Sequence, residues 1–353
     1  MSKCYDLNID EVNQLLGKLS DKYIIYAPKR VFNGGRYALD DTVIYGEISK
    51  FEDIEFDKRT IFSIKEVLTP LSQTLFYFTE DEFKEAKIRD SRDILILGRA
   101  CDLNSIKIQD QIFKENGGIE DYFYSRLRDK TYFVLMECNN QYDGCFCCSL
   151  GTNTTDIHDV GISFREDGAY VELENSFFHE YLTGFKPSSY EIQFPKENKL
   201  VVDYPHIDNE EEYNQLKIHP MWDEYEKRCI ACGKCTVVCN TCTCFTTTDI
   251  YYNDNCNVGE RRRTCSSCML ESFDKVAGGE NFRKTTKDRY RFKILHKVYA
   301  HDARFHTGPM CVGCGLCDSD CPQLISYSAT LEKINLALKE IRLEAKKEET
   351  DNA

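Results

Sequence analysis

The sequence lacks the motifs that mark the common nucleotide-binding and hydrolytic metal sites. It has no G-x-G-x-x-G after a predicted strand, no phosphate-binding P-loop and no H-E-x-x-H. Its 7 histidines are scattered, and none stands in a pattern with a candidate nucleophile. We therefore expect no catalytic side chains and no substrate chemistry performed by the chain's own residues.

Long apolar runs and an excess of positive charge are also missing. No stretch approaches the roughly 20 apolar residues that a membrane helix needs. The polar N-terminal sequence MSKCYDLN does not have the form of a signal peptide. With 45 Lys and Arg against 59 Asp and Glu, the net charge is −14, which argues against nucleic-acid binding. We expect a cytoplasmic protein with neither a nucleic acid nor a membrane as partner.

Cysteine, in contrast, is abundant, with 19 residues in a chain of 353. Many of these cysteines lie too close together in the sequence to form disulfides with each other. In a cytoplasmic chain of this size they indicate metal sites, in a reducing and anaerobic setting. Hydrophobic residues make up 42% of the chain, enough to build the cores of two or three domains.

Two cysteine runs near the C-terminal end share the spacing C-x2-C-x2-C-x3-C. The second run is followed by Pro322, as in the iron–sulfur run of bacterial ferredoxins. In that arrangement three cysteines wrap one corner of a [4Fe-4S] cluster, and the fourth ligates the other cluster. We therefore predict two [4Fe-4S] clusters. One is held by Cys229, Cys232, Cys235 and Cys321, and the other by Cys311, Cys314, Cys317 and Cys239.

Glycines within the runs support this interpretation. Gly233, Gly313 and Gly315 allow the backbone to curl and to point N–H groups at the cysteine sulfurs. The alternative is a pair of structural zinc sites in a non-redox scaffold protein. Zinc sites usually take two C-x-x-C pairs with a longer gap between them, so the spacing favours iron–sulfur clusters.

A second set of cysteines follows predicted buried strands in the N-terminal half. In an open α/β sheet the carboxyl ends of the strands converge on one crevice. These thiols could thus ligate a third [4Fe-4S] cluster, or they could be small buried hydrophobic residues, as free cysteines often are. The ligand set for such a cluster is Cys101, Cys138, Cys145 and Cys147.

Further cysteines lie between the two runs. The pair Cys265 and Cys268 has the spacing of a zinc or redox site, whereas Cys242 and Cys244 follow the first run closely enough to pack beside its cluster. Both a further metal site and simple packing remain open for this group.

Hydrophobic periodicity predicts an α+β chain of two domains. Residues 1–218 form a mixed α/β domain that ends in a linker over about 186–218, with buried strands at 93–98 and 131–138. Residues 219–353 form a helical two-cluster ferredoxin-like domain with a long insert and a C-terminal amphipathic helix at 329–347. Shorter helices are predicted at 80–88, 267–276 and 287–300.

Basic residues are concentrated in the insert, in an otherwise acidic chain. They form one run at 261–263 and a looser run at 283–297. Two interpretations are open: helix-surface charge that also offsets anionic clusters, or a docking patch for an acidic partner such as ferredoxin or another subunit.

Several motifs together resemble the iron–sulfur electron-transfer subunit of anaerobic sulfite reductase. The C-terminal half carries RCIACGKCT at 228–236, CNTCTC at 239–244, GERRR at 259–263, LHKV at 295–298 and CVGCGLCDSDCPQ at 311–323. The N-terminal half carries TLFYF at 74–78, RACDL at 99–103 and CFC at 145–147. The iron–sulfur β subunits of nickel–iron sulfhydrogenases are similar in the same places.

The resemblance implies an electron-transfer subunit of a three-subunit complex. A flavin-containing B subunit that oxidises NADH would supply electrons, and a sirohaem-containing C subunit would reduce sulfite to sulfide. The clusters of this chain would relay single electrons between them, because a hydride donor and a sirohaem exchange electrons in different units. The alternative that the resemblance leaves open is the β subunit of a cytoplasmic nickel–iron sulfhydrogenase.

Overall fold

A computed structural model describes residues 3–35, 37, 39–88, 90–138, 142–174 and 176–351. The chain is α+β as predicted, with 36% of residues in helices and 22% in strands. It forms two compact units. The first comprises residues 1–142, 151–196 and 245–265, and the second comprises residues 143–150, 197–244 and 266–353. The sequence also predicts two domains, 1–218 and 219–353, as parts that would fold independently. This division stays a prediction.

The first unit contains two β-sheets with helices against the larger one. Its elements are β1 (Lys3–Asn8), α1 (Ile9–Ser20), β2 (Tyr23–Val31), β3 (Thr42–Glu47), β4 (Ser72–Phe78), β5 (Phe83–Glu85), β6 (Asp93–Gly98), α2 (Ala100–Asp110), α3 (Tyr122–Arg128), β7 (Thr131–Met136), β8 (Val160–Arg165), β9 (Gly168–Leu173), β10 (Lys186–Ser188), β11 (Phe245–Tyr251) and β12 (Gly259–Cys265).

The larger sheet has eight strands in the order β10-β1-β9-β8-β7-β6-β2-β3. Its centre, from β2 through β6 and β7 to β8, is parallel, and the pairs outside this centre are antiparallel. Strands β6 and β7 are buried along most of their length, which explains their nearly continuous apolar sequences. The strands predicted from the sequence at 93–98 and 131–138 are thus confirmed, although the second one ends at Met136.

Helix α1 covers one part of this sheet. It begins with a capping box, in which Asn8 and Glu11 each accept a hydrogen bond from the other's backbone N–H. Its buried residues, including Leu15 and Leu19, recur at helical spacing and pack in the same core cluster as Leu95 of β6. The amphipathic pattern of the sequence therefore determines where this helix lies.

The smaller sheet has four antiparallel strands in the order β11-β12-β4-β5. The predicted helix at 80–88 is wrong, because Phe83–Glu85 forms the edge strand β5. Pairing with β4 and a contact between the Phe76 and Phe83 rings, with centroids 5.7 Å apart, override the local helix propensity. The hairpin of β11 and β12 was not predicted, although it lies between the two cysteine runs.

The second unit is mainly helical. Its helices are α4 (Glu210–Ile218), α5 (Glu224–Arg228), α6 (Lys234–Val237), α7 (Thr286–Leu295), α8 (His301–Phe305), α9 (Leu316–Ser319) and α10 (Tyr327–Asp351). A π-helical turn, His296–Ala300, joins α7 to α8. The helix predicted at 287–300 is thus confirmed, whereas the one predicted at 267–276 is wrong and contains only a 3₁₀ turn at Glu271–Asp274.

Helix α10 supplies much of the core of the second unit. Its residues Leu331, Ile334 and Leu338 are buried in one cluster with Trp222 and Tyr225. The apolar stripe predicted for the C-terminal helix is therefore confirmed as a core-facing surface. Among the described residues, no helix has both the length and the apolar composition that crossing a membrane would require.

Candidate metal centre

The second unit brings together the four cysteines predicted for the first cluster. Cys229 follows α5, and Cys235 lies on α6. Burial raises the pKa of the Cys229 thiol, and the charges of Cys235, Cys232 and Cys321 raise it further. The last cysteine of the second run thus lies beside the first three cysteines of the first run.

The four cysteines predicted for the second cluster also lie together. Burial raises the pKa of the Cys317 thiol, and the neighbouring charges of Asp318, Cys239 and Cys314 raise this pKa further. Burial raises the pKa of the Cys311 thiol to about 11, and Cys239 again contributes. The fourth cysteine of each run therefore lies near the other run. The division of the eight cysteines between two clusters stays a prediction.

In each cysteine run, a backbone N–H two residues after the first cysteine donates to the sulfur of that cysteine. The Ala231 N–H donates to Cys229 Sγ over 3.4 Å, and the Gly313 N–H donates to Cys311 Sγ over 3.4 Å. Both donors have left-handed backbone angles, with φ of 53° at Ala231 and 62° at Gly313. Sequence reasoning identified Gly313 but missed Ala231, since an alanine carries no signal for this conformation.

The cysteines of the first group line a recess rather than a filled core. The recess has about 460 Å³ of empty space including its open mouth, and Tyr290 and Lys293 form part of its wall. Cys321 lies at its edge, where its sulfur accepts from the Ile325 N–H over 3.4 Å. Thiols gathered around one recess, with N–H groups donating to their sulfurs, fit a thiolate-ligated cluster.

A single metal ion would require a different arrangement, in which three or more ligand atoms surround one point. Among the residues that the structure describes, no three Cys, His, Asp or Glu side chains meet in that way. A [4Fe-4S] cluster instead needs thiolates at separate corners, one for each iron.

The segment 143–150 packs against the second cysteine run, a contact that sequence reasoning missed. The Phe146 N–H donates to the Gly313 carbonyl oxygen over 2.8 Å, and the Cys145 thiol donates to the Cys314 carbonyl oxygen over 3.6 Å. A Cβ added at Gly313 would lie 2.7 Å from the Cys147 nitrogen. This close packing requires glycine in the middle of the second run.

The residues predicted for a third cluster are divided between the two units. Cys101 is the second residue of α2, just after β6, and Cys138 lies two residues after β7, so both lie near carboxyl ends of central strands in the first unit. Cys145 and Cys147 belong to the second unit. The Cys147 thiol donates to Asn198 Oδ1 over 3.6 Å. The third cluster stays a prediction.

Three cysteines beyond the first run lie close to the two predicted groups. The Cys242 thiol is buried and hydrogen-bonded to Cys239, which raises the pKa of Cys242. The Cys268 thiol is buried and hydrogen-bonded to Cys244, which raises the pKa of Cys268. The cysteine-rich interior of the second unit therefore includes residues other than the eight predicted ligands.

Several residues of the two basic runs are buried. Arg263 is 6% exposed, and its guanidinium donates to Asp121 over 2.7 Å. Arg289, Lys293 and Lys297 are also buried. For these residues the docking-patch interpretation is wrong, because they lie inside the units and not on a free surface.

Comparison with known proteins agrees with this geometry. Residues 228–325 match the family described as 4Fe-4S dicluster domain, which indicates [4Fe-4S] clusters in this part of the chain. Over nearly its whole length the chain is similar to sulfhydrogenase 2 subunit beta of Pyrococcus furiosus. The two are 28% identical over 323 residues, which cover 88% of this chain and 93% of the relative. No solved structure matches the chain.

Proposed function

We propose that the chain is an iron–sulfur electron-transfer subunit that relays single electrons within a larger oxidoreductase complex. The observation that carries this proposal is that Cys321, from the second run, lines one recess with Cys229, Cys232 and Cys235 from the first run, in the unit that contains all eight cysteines. We assign Cys229, Cys232, Cys235 and Cys321 to one cluster, and Cys311, Cys314, Cys317 and Cys239 to the other.

The work of the chain's own residues is to hold the clusters and to set their surroundings. When bound, a [4Fe-4S] cluster supplies one-electron transfer. The eight thiolates hold the two clusters, the backbone N–H groups of Ala231, Gly313 and Ile325 stabilise negative charge on sulfur, and buried aromatic side chains such as Tyr290 limit access of water. No side chain is assigned a role as general acid, general base or nucleophile.

For the identity of the complex, the sequence motifs favour anaerobic sulfite reductase. In that complex the flavin-containing B subunit would pass electrons to this chain, which would pass them on to the sirohaem-containing C subunit. Ferredoxin would be an alternative donor. A second candidate rests on a separate observation, the similarity to sulfhydrogenase 2 subunit beta. In that case the chain would be the corresponding subunit of a nickel–iron sulfhydrogenase.

Purification of the native complex under anaerobic conditions separates these two candidates. A sirohaem absorbance band in the complex supports the sulfite reductase identity, and nickel without sirohaem supports the sulfhydrogenase identity. The presence of neither group, in a complex that retains all its subunits, would contradict both identities and leave only the general electron-transfer role.

The metal content of the purified chain tests the general proposal. We expect about eight irons and about eight acid-labile sulfides per chain for two clusters, and about twelve of each if the set of Cys101, Cys138, Cys145 and Cys147 also binds a cluster. Iron, sulfide and zinc should be measured on the same anaerobic sample. Stoichiometric zinc with neither iron nor labile sulfide would establish the zinc-scaffold alternative and contradict an electron-transfer role.

A further inference from the structure

Two buried lysines lie beside the cysteines of the candidate clusters. Lys293 is on α7 and Lys297 is on the π-helical turn that follows it, so their spacing of four residues places them on the same side of the helical segment. Each side chain is only 4% exposed. Both lie within the second unit, as do all eight predicted ligands.

Lys297 contacts a predicted ligand directly. Its Nζ donates to Cys239 Sγ over 3.3 Å, to Thr241 Oγ1 over 2.8 Å and to the Met310 carbonyl oxygen over 3.2 Å. These three acceptors fix the position of the ammonium group. The oxygen acceptors are neutral, so the sulfur is the one of the three that becomes anionic when it binds iron.

Lys293 lies between the two cysteine groups. Its Nζ is 5.7 Å from the centre of the Tyr290 ring and 5.9 Å from that of the Tyr327 ring. Lys293 also lines the recess that is lined by Cys235 of the first group and by Cys317 of the second group. Lys293 therefore lies close to predicted ligands of both candidate clusters.

A buried ammonium group is costly unless negative charge lies nearby. Neutral thiols do not supply that charge. Iron-bound thiolates would supply it, because a ligating thiol is deprotonated. The two lysines and the clusters are therefore expected to compensate each other's charge within the second unit.

We propose that Lys293 and Lys297 raise the reduction potentials of the two clusters, and that Lys297 acts mainly on the cluster of Cys239, Cys311, Cys314 and Cys317. The inference rests on the proposed function. A fixed cation stabilises the negative charge that each cluster gains when it accepts one electron from a low-potential donor, so the reduced form is favoured. No proton is transferred and no bond is formed or broken in this step. Lys297 thereby makes the second cluster a better electron acceptor than the same cluster would be without this cation.

The test is a redox titration of the full chain with dithionite, followed by electron paramagnetic resonance, for wild type and neutral variants. We expect Lys297→Met and Lys297→Gln to keep the wild-type iron content. In each variant, the midpoint potential of one cluster should fall by at least about 59 mV. For one electron, this shift corresponds to a tenfold decrease in the equilibrium constant for reduction. Lys293→Met should lower both potentials. The control is Lys287→Met, which should keep both wild-type potentials. In the wild type the Lys287 side chain is partly exposed, and its Nζ lies 2.6 Å from Asp223 Oδ1.

Three results would overturn the inference. The first is wild-type potentials in both Lys297 variants at full iron content. The second is a wild-type potential in Lys297→Gln alone, which would assign the effect to hydrogen bonding and not to charge. The third is loss of iron from both neutral variants with retention in Lys297→Arg, which would make the cation structural. A wild-type chain without iron would contradict the proposed function as well. The three results above would contradict only the role of the lysines.

Discussion

Replacement of Cys314 by serine is expected to remove one cluster and to leave the other in place. The iron content should fall from about eight to about four per chain, because serine oxygen is a poor substitute for thiolate at an iron–sulfur cluster. Cys314 lies with Cys311, Cys317 and Cys239, and the other four predicted ligands form a separate group. The loss should therefore be confined to the second cluster, and electron transfer through the chain should stop.

Cys256→Ser is the matched control for this experiment. Cys256 is exposed and belongs to the first unit, outside both groups of predicted ligands. The control should keep wild-type iron, labile sulfide and electron paramagnetic resonance spectra. Unchanged iron in Cys314→Ser would contradict the ligand assignment, and an equal loss in both variants would point to a general effect of cysteine removal.

The second large effect is expected from Gly313→Ala. Gly313 has φ of 62°, and an added Cβ would lie 2.7 Å from backbone atoms of Phe146 and Cys147. The left-handed conformation costs roughly 1–2 kcal/mol for alanine. Overpacking against backbone adds roughly 1–3 kcal/mol. We therefore expect the free energy of unfolding of the second unit to fall by about 2–5 kcal/mol, with loss of iron from the second cluster.

Gly308→Ala separates the steric clash from the backbone strain. Gly308 also has a left-handed φ, 88°, but a Cβ added there would meet no atom within 4 Å. This control should lose only roughly 1–2 kcal/mol and keep its iron. Stability can be measured by chemical denaturation under anaerobic conditions, with iron content measured on the same samples. Equal losses in the two variants would show that packing of segment 143–150 against the second run is unimportant.

Local sequence patterns were sufficient for much of the fold. The apolar runs at 93–98 and 131–138 predicted central strands because a strand covered on both faces can tolerate almost no polar residue. The stripe that includes Leu331, Ile334 and Leu338 predicted the core-facing side of α10 for a similar reason. At 80–88 the local pattern failed, since pairing with β4 outweighs a weak helix propensity.

The sequence likewise predicted one part of the candidate site and left another part unidentified. The spacing within each cysteine run was sufficient to predict that the fourth cysteine joins the other run, because the short gap between the third and fourth cysteines directs the last one away from its own cluster. The positions of Lys293 and Lys297 were visible only as part of a basic run, and a charged residue is on average exposed.

Only the tertiary structure decided which distant segments surround the cysteine runs. Segment 143–150 lies far before the second run in the sequence, as the separation of 169 between Cys145 and Cys314 illustrates, yet it packs on Gly313. Helix α7 places Lys293 in the recess with Cys235 and Cys317, and the π-helical turn after it places Lys297 against Cys239. Contacts of this kind depend on how elements pack and not on local periodicity. The sequence by itself thus predicted the eight ligands, and the packing of the second unit determined the charge and shape of their surroundings.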